Sequence, residues 1–153
     1  MRGIFIPMRR GLSYSRKYTQ AMKQFLGRIA LVVNDYDEAI AFYTQKLHFT
    51  VIEDTVLTTT KRWVVIAPPG SPKDGCSILL AKATSDQQQN NVGNQAVGRV
   101  FLFLFTDNFD RDFQNLIGQQ VTIVRQPVTN TYGRVVVFAD LYGNLWDLIE
   151  PSE

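Results

Sequence analysis

Asp147 is the residue whose surroundings most invite chemistry. It lies inside L-W-D-L-I-E, Leu145 to Glu150. Side chains alternate across a strand, so Leu145, Asp147 and Ile149 share one face while Trp146, Leu148 and Glu150 share the other. A carboxylate sent where apolar residues go is placed to accept a hydrogen bond or to hold a cation. Other reactive side chains are sparse. The single cysteine, Cys76, allows no intrachain disulfide and no cysteine-rich metal site. With no histidine predicted beside it, it reads as a buried structural thiol rather than a nucleophile. The single histidine, His48, follows a helical pattern and tolerates the left-handed conformation, so it reads as a helix terminator rather than a ligand. Trp63, Tyr132, Tyr142 and Trp146 are of a type that lines a pocket or packs across strands. Arg134 and Lys61-Arg62 read as solvated strand ends. No phosphate-binding glycine loop, hydrolase triad or dinucleotide fingerprint is present.

The elements that position these residues alternate in a fixed order. Arg28 to Val33 is a strand, and Asp35 with Glu38 three residues on resembles a capping box for a helix to Leu47. Tyr36, Ala39, Ile40, Tyr43 and Leu47 recur at helical spacing, so one side of that helix packs on a sheet. Strands follow at Phe49 to Val56, Arg62 to Ala67 and Cys76 to Ala81, the last two separated by a proline-rich loop. Thr84 to Gln95, rich in Gln and Asn, reads as a polar linker. The order then repeats: a strand from Gly98-Arg99 to Thr106, a helix led by Asp107, a strand from Val121 to Arg125, and a closing hairpin turning at Asp140 to Asn144. Gly143 and Asn144 supply the positive φ such a turn needs. Two copies of one β-α-β-β-β unit make a weak internal repeat with an offset near 71 to 73 residues. The expected boundaries are a basic extension at 1–26, a first unit at 27–83, a linker at 84–97 and a second unit at 98–153.

Gly27 to Leu47, G-R-I-A-L-V-V-N-D-Y-D-E-A-I-A-F-Y-T-Q-K-L, together with D-L-Y-G-N-L-W-D-L-I-E at Asp140 to Glu150, resembles the vicinal oxygen chelate superfamily. That superfamily holds glyoxalase I, extradiol dioxygenases and bleomycin-resistance proteins, and the resemblance covers about residues 27 to 150. It implies an α+β fold in which two βαβββ units form a curved mixed-sheet cup with the ligand on its floor. Its enzymes bind a divalent metal through four side chains from the first and fourth strands of each unit. Carried over, those positions fall on Arg28, on or near Leu79, on Phe101 or Arg99, and on Asp147. Arginine stays protonated and leucine has no donor, so the resemblance implies no metal and no cofactor here. The expected function is a small-molecule-binding protein of the glyoxalase/bleomycin-resistance type. Its ligand residues would be Arg28, Asp147, Phe101, Leu79, Arg99 and Trp63, with Arg28 and Asp147 facing one cup as a bidentate pair. The alternative is a divergent metal-dependent lyase or dioxygenase of the same superfamily. A third class is a module that binds protein partners through sheet edges.

Composition narrows the partners. A chain of 153 residues that is 45% hydrophobic can bury a core. No apolar run approaches the roughly 20 residues that cross a bilayer, so no membrane partner is expected. Residues 1 to 26 carry six basic side chains (Arg2, Arg9, Arg10, Arg16, Lys17, Lys23) and no acid, which leaves ten basic against 14 acidic residues, a charge of −4, for the rest. The segment reads as lying outside the domain, with Met22 as an alternative start, and no basic face with interleaved aromatics points to nucleic acid. Apolar outer strands predict a homodimer, and a lone thiol suits a cytoplasmic protein.

Overall fold

The computed structural model describes residues 24–152, and the basic residues from Arg2 to Lys23 lie outside them. Two four-stranded mixed sheets build the molecule. The first has the order β1-β4-β3-β2, from β1 (Arg28–Val33), β2 (Thr50–Val56), β3 (Arg62–Ala67) and β4 (Ser77–Lys82). The second repeats it as β5-β8-β7-β6, from β5 (Val100–Phe105), β6 (Thr122–Asn130), β7 (Gly133–Ala139) and β8 (Leu145–Pro151). In each unit the first strand runs parallel to the fourth and the other pairs are antiparallel. A parallel pair needs a long crossover, and the helix of each unit lies in it.

Helix α1 (Tyr36–Ala41) starts where Asp35 accepts hydrogen bonds from the backbone N–H of Asp37 at 2.9 Å and of Glu38 at 3.2 Å. It continues into a π-helical turn, Phe42–Lys46, in which neighbouring Phe42 and Tyr43 are both buried. His48 then takes a φ of +58°, and Phe49 N–H closes back on the Tyr43 carbonyl at 2.9 Å. The histidine is thus a helix terminator. Its counterpart after α3 (Phe109–Gly118) is Gln120, at φ +55°. The cap of α3 is Asn108, whose side chain accepts from Arg111 N–H at 2.9 Å, one residue beyond the Asp107 expected from the sequence.

Two sequence expectations need correction. The polar stretch after β4 contains a helix, α2 (Asp86–Asn91), capped by Ser85. Farther on, the Gln95 side chain accepts from Val32 N–H at 2.9 Å and donates to the Ala30 carbonyl at 2.7 Å. An amide side chain thereby pairs with the free edge of β1, as a neighbouring strand would. Cys76 is exposed and precedes β4 rather than lying in it, so it is not a core thiol.

Both sheets give their helix-covered faces to one core. Leu31, Val33, Tyr43, Val64, Ile66 and Leu80 of the first unit join Phe109, Leu116, Val136, Phe138, Trp146 and Leu148 of the second in a single buried cluster. At its centre Trp146 packs on Tyr43 at 5.9 Å, on Phe49 at 6.1 Å and on Phe138 at 5.9 Å between ring centroids. The closing turn is bolted to this cluster. Asp140 is only 6% exposed. One of its oxygens accepts from the N–H groups of Tyr142, Gly143 and Asn144, each at 3.0 Å. The other accepts from Tyr43 Oη at 2.8 Å, Asn144 Nδ2 at 2.9 Å and Trp146 Nε1 at 3.4 Å. A buried carboxylate tolerates this depth because its lone pairs are used.

Candidate functional site: two open sheet faces

The faces turned away from the helices carry exposed side chains, Phe103 and Phe105 among them, over floors in which Val65 and Val137 are buried. Because both sheets spend their other face on the shared core, these open faces do not meet within one chain. On the first, Arg28 pairs with Ser77, and Leu79 pairs with both Ala30 and Val65, whose other partner is Glu53. The Arg28 guanidinium lies over the Trp63 ring at 5.9 Å, and Trp63 Nε1 donates to Glu53 at 3.2 Å. A cavity of about 490 Å³ opens at this end of the face, with Arg28, Thr50, Ala67 and Ser77 at its wall beside the loop from Pro68 to Gly75.

The open face of the second sheet carries Asp147. Register places one row across all four strands: Phe103 opposite Asp147, Asp147 opposite Val137, and Val137 opposite Arg125. Phe103 is 57% exposed and Phe105, next on the same face, 66%. Arg125 sits between two register irregularities of edge strand β6, the second of which spans Pro127, and such bulges re-aim a side chain. Asp147 Oδ1 is enclosed by protein and has no hydrogen-bond partner, although the residue as a whole is half-buried. Burial pushes its carboxyl above the usual range, and the positive charge of Arg125 only partly offsets this. No ion pair closes between Asp147 and Arg125, nor between Asp147 and Arg28.

The structure therefore brings Arg28, Leu79 and Trp63 together on one open face and leaves Asp147 on the other. Phe101 falls at the register shift between Val100 and Leu102 and packs against the core, so Phe103 and Phe105 take the exposed positions of β5. Arg99 is exposed ahead of that strand. Arg125 was the residue missed in the sequence. Its place on the face depends on bulges that no alternating pattern reveals. Of the superfamily's metal positions, those carried over to Arg28 and Leu79 lie in the first sheet and offer no metal donor, and in the second unit Asp147 is a donor whereas Phe101 and Arg99 are not, so the carried-over set does not fit a divalent ion. Among the described residues no group of three or more His, Cys, Asp or Glu side chains is placed to hold an ion.

A larger cavity, about 780 Å³, lies between the units and is lined by His48, Leu104, Phe105, Arg111, Asp112, Asn115 and Leu116 among others. Its polar groups are already matched. Arg111 pairs with Asp107 at 2.9 Å and Asp112 at 2.7 Å, and His48 with Asn115 at 3.0 Å. Asp147, whose carboxyl makes no hydrogen bond among the described residues, belongs to the open face, which makes that face the better candidate.

Comparison with known proteins agrees with this architecture. The profile of the Glyoxalase/Bleomycin resistance protein/Dioxygenase superfamily matches residues 25–148, and the chain belongs to that superfamily. It is a protein of the glyoxalase/bleomycin-resistance type. An uncharacterised protein of Shewanella frigidimarina (strain NCIMB 400) is 56% identical over 133 residues, covering 86% of this chain and 97% of its own. Among solved structures, UcmS2 superposes with a TM-score of 0.72 at 26% identity, over 84% of this chain and 98% of that one. TnmS3, an antibiotic binding protein from Streptomyces sp. CB03234, gives 0.69 at 26% identity, over 87% and 99%. No helix among the described residues is long and apolar enough to cross a membrane.

Proposed function

We propose that the protein binds a small organic molecule, without a metal, in a cup made when the open faces of two chains come together. The observation that carries this reading is the pair of open faces: one bears Arg28 and Trp63, the other Asp147 beside exposed Phe103 and Phe105. Contiguous apolar surface with a few polar groups set into it marks a ligand or partner interface. Each face lacks an opposing wall in its own chain, and a second copy supplies one with twofold symmetry. In this arrangement Arg28 of one subunit faces the sheet that holds the partner's Asp147. The likeness to an antibiotic binding protein supports a ligand that is retained rather than transformed.

The test joins mass, metal content and binding. Light scattering should give twice the 17.4 kDa chain mass, elemental analysis should find no stoichiometric divalent ion, and melting temperature should rise with some members of a panel of aromatic natural products. A stoichiometric Mn, Fe, Ni or Zn would instead favour the lyase or dioxygenase reading. A chain that stays monomeric would remove the shared cup.

A further inference from the structure

We infer that the ligand carries a hydrogen-bond donor and an acceptor side by side, as in a primary amide or a hydroxy-carbonyl group, on a flat apolar body. This rests on the open faces being the binding site and specifies what the second of them reads. Four observations meet at one row of that face. No hydrogen bond reaches Asp147 from the described residues, and of its two oxygens only Oδ1 is enclosed, which leaves Oδ2 on the face to accept from a ligand. Arg125, two strands away in the same row, makes no ion pair among the described residues yet lies close enough for its charge to act on Asp147. Between them in the row lies buried Val137, whose side chain offers neither donor nor acceptor. On the other flank Phe103 presents an exposed ring.

A group that donates to Asp147 and accepts from Arg125 satisfies both at once, and the guanidinium's planar fork suits a carbonyl oxygen. Its flat body then lies toward Phe103, where ring stacking adds to apolar burial. A bare carboxylate ligand satisfies Arg125 alone and brings its charge against Asp147. A bare amine does the reverse. The row thus selects for adjacent donor and acceptor, and against molecules that have only one.

The probes are 2-naphthamide and 2-acetylnaphthalene, which differ by an amide NH2 in place of a methyl group. Calorimetry on the intact wild-type protein should show the amide bound about tenfold more tightly, the value of one well-placed hydrogen bond to a carboxylate. Asp147→Leu should erase that difference while raising the melting temperature, because it removes an enclosed oxygen without a partner. Arg125→Met should weaken both probes alike, since both offer a carbonyl. Equal binding of the two probes to the wild type would overturn the inference and leave the cup as an unselective apolar site. A fall in melting temperature on Asp147→Leu would overturn it as well, by giving the carboxylate a structural role. If neither probe binds at millimolar concentration, the small-molecule reading of the face itself fails.

Discussion

Asp140 and Asp147 lie seven residues apart and illustrate opposite uses of a carboxylate. Asp140 accepts from six donors and ties the last turn to Tyr43 and Trp146, so its removal strands several buried groups at once. Asp140→Ala should lower unfolding free energy by about 3–5 kcal/mol in urea titration, with no cofactor or ligand present. Tyr43 reports on the same cluster through pH. Burial, then the charge of Asp140, raises its hydroxyl well above the ordinary value of 10.0. Below that value both the folded and the unfolded chain keep the proton and stability is whole. Above it the unfolded chain releases the proton and the folded one does not, so stability falls as pH rises, by about 1.4 kcal/mol per pH unit for this group. Tyr142, pushed up to about 12 by burial and by Glu38, acts in the same direction. Alkaline denaturation curves should therefore be shallower by one proton in Tyr43→Phe, and an unchanged slope would show that another group sets the limit. Trp146 and Asp147 were legible because alternation along one strand separates them. That Asp140 is a hub was not, since its partners come from 97 residues away as well as from its own turn.

At the level of elements, the strands and the repeat were readable from hydrophobic runs and turn residues, and β1 and β3 fall where the sequence puts them. What was not readable is how a polar connection becomes structural. The stretch from Thr84 to Gln95 has few apolar side chains, yet it contains α2, supplies Gln95 to the edge of β1, and passes Gly93 against the closing turn. Gly93 takes a φ of +78°, and a Cβ added there would collide with the Tyr142 carbonyl oxygen. The backbone would have to move, so Gly93→Ala should destabilise by on the order of 2–3 kcal/mol in thermal or urea unfolding, whereas Gly98→Ala, with nothing within 4 Å but a φ of +79°, should cost about 1 kcal/mol. Similar small losses at both would mean that the linker yields freely and does not hold the turn. Composition alone makes both stretches look alike, because what distinguishes them is a carbonyl brought in from the far end of the chain.

At the level of the molecule, the two units share a core through their helical sides, which leaves the other face of each sheet outside that core. Arg28 and Asp147 looked like partners in sequence because the superfamily resemblance carries two of its four ligand positions onto them. Which chain supplies the opposite wall depends on how the units pack, and hydrophobic periodicity carries no information on that. The shared cup has a direct test by mixing. Trp63→Ala spoils the first face and Phe103→Ala the second, so each variant alone should lose most binding of 2-naphthamide. In a twofold dimer that combines one chain of each, one cup takes both lesions and the other takes neither. After unfolding and refolding the two variants together at equal concentration, about a quarter of wild-type binding capacity should return, half of the dimers being mixed and half of their cups intact. Capacity that stays at the level of the separate variants would contradict a site built from two chains.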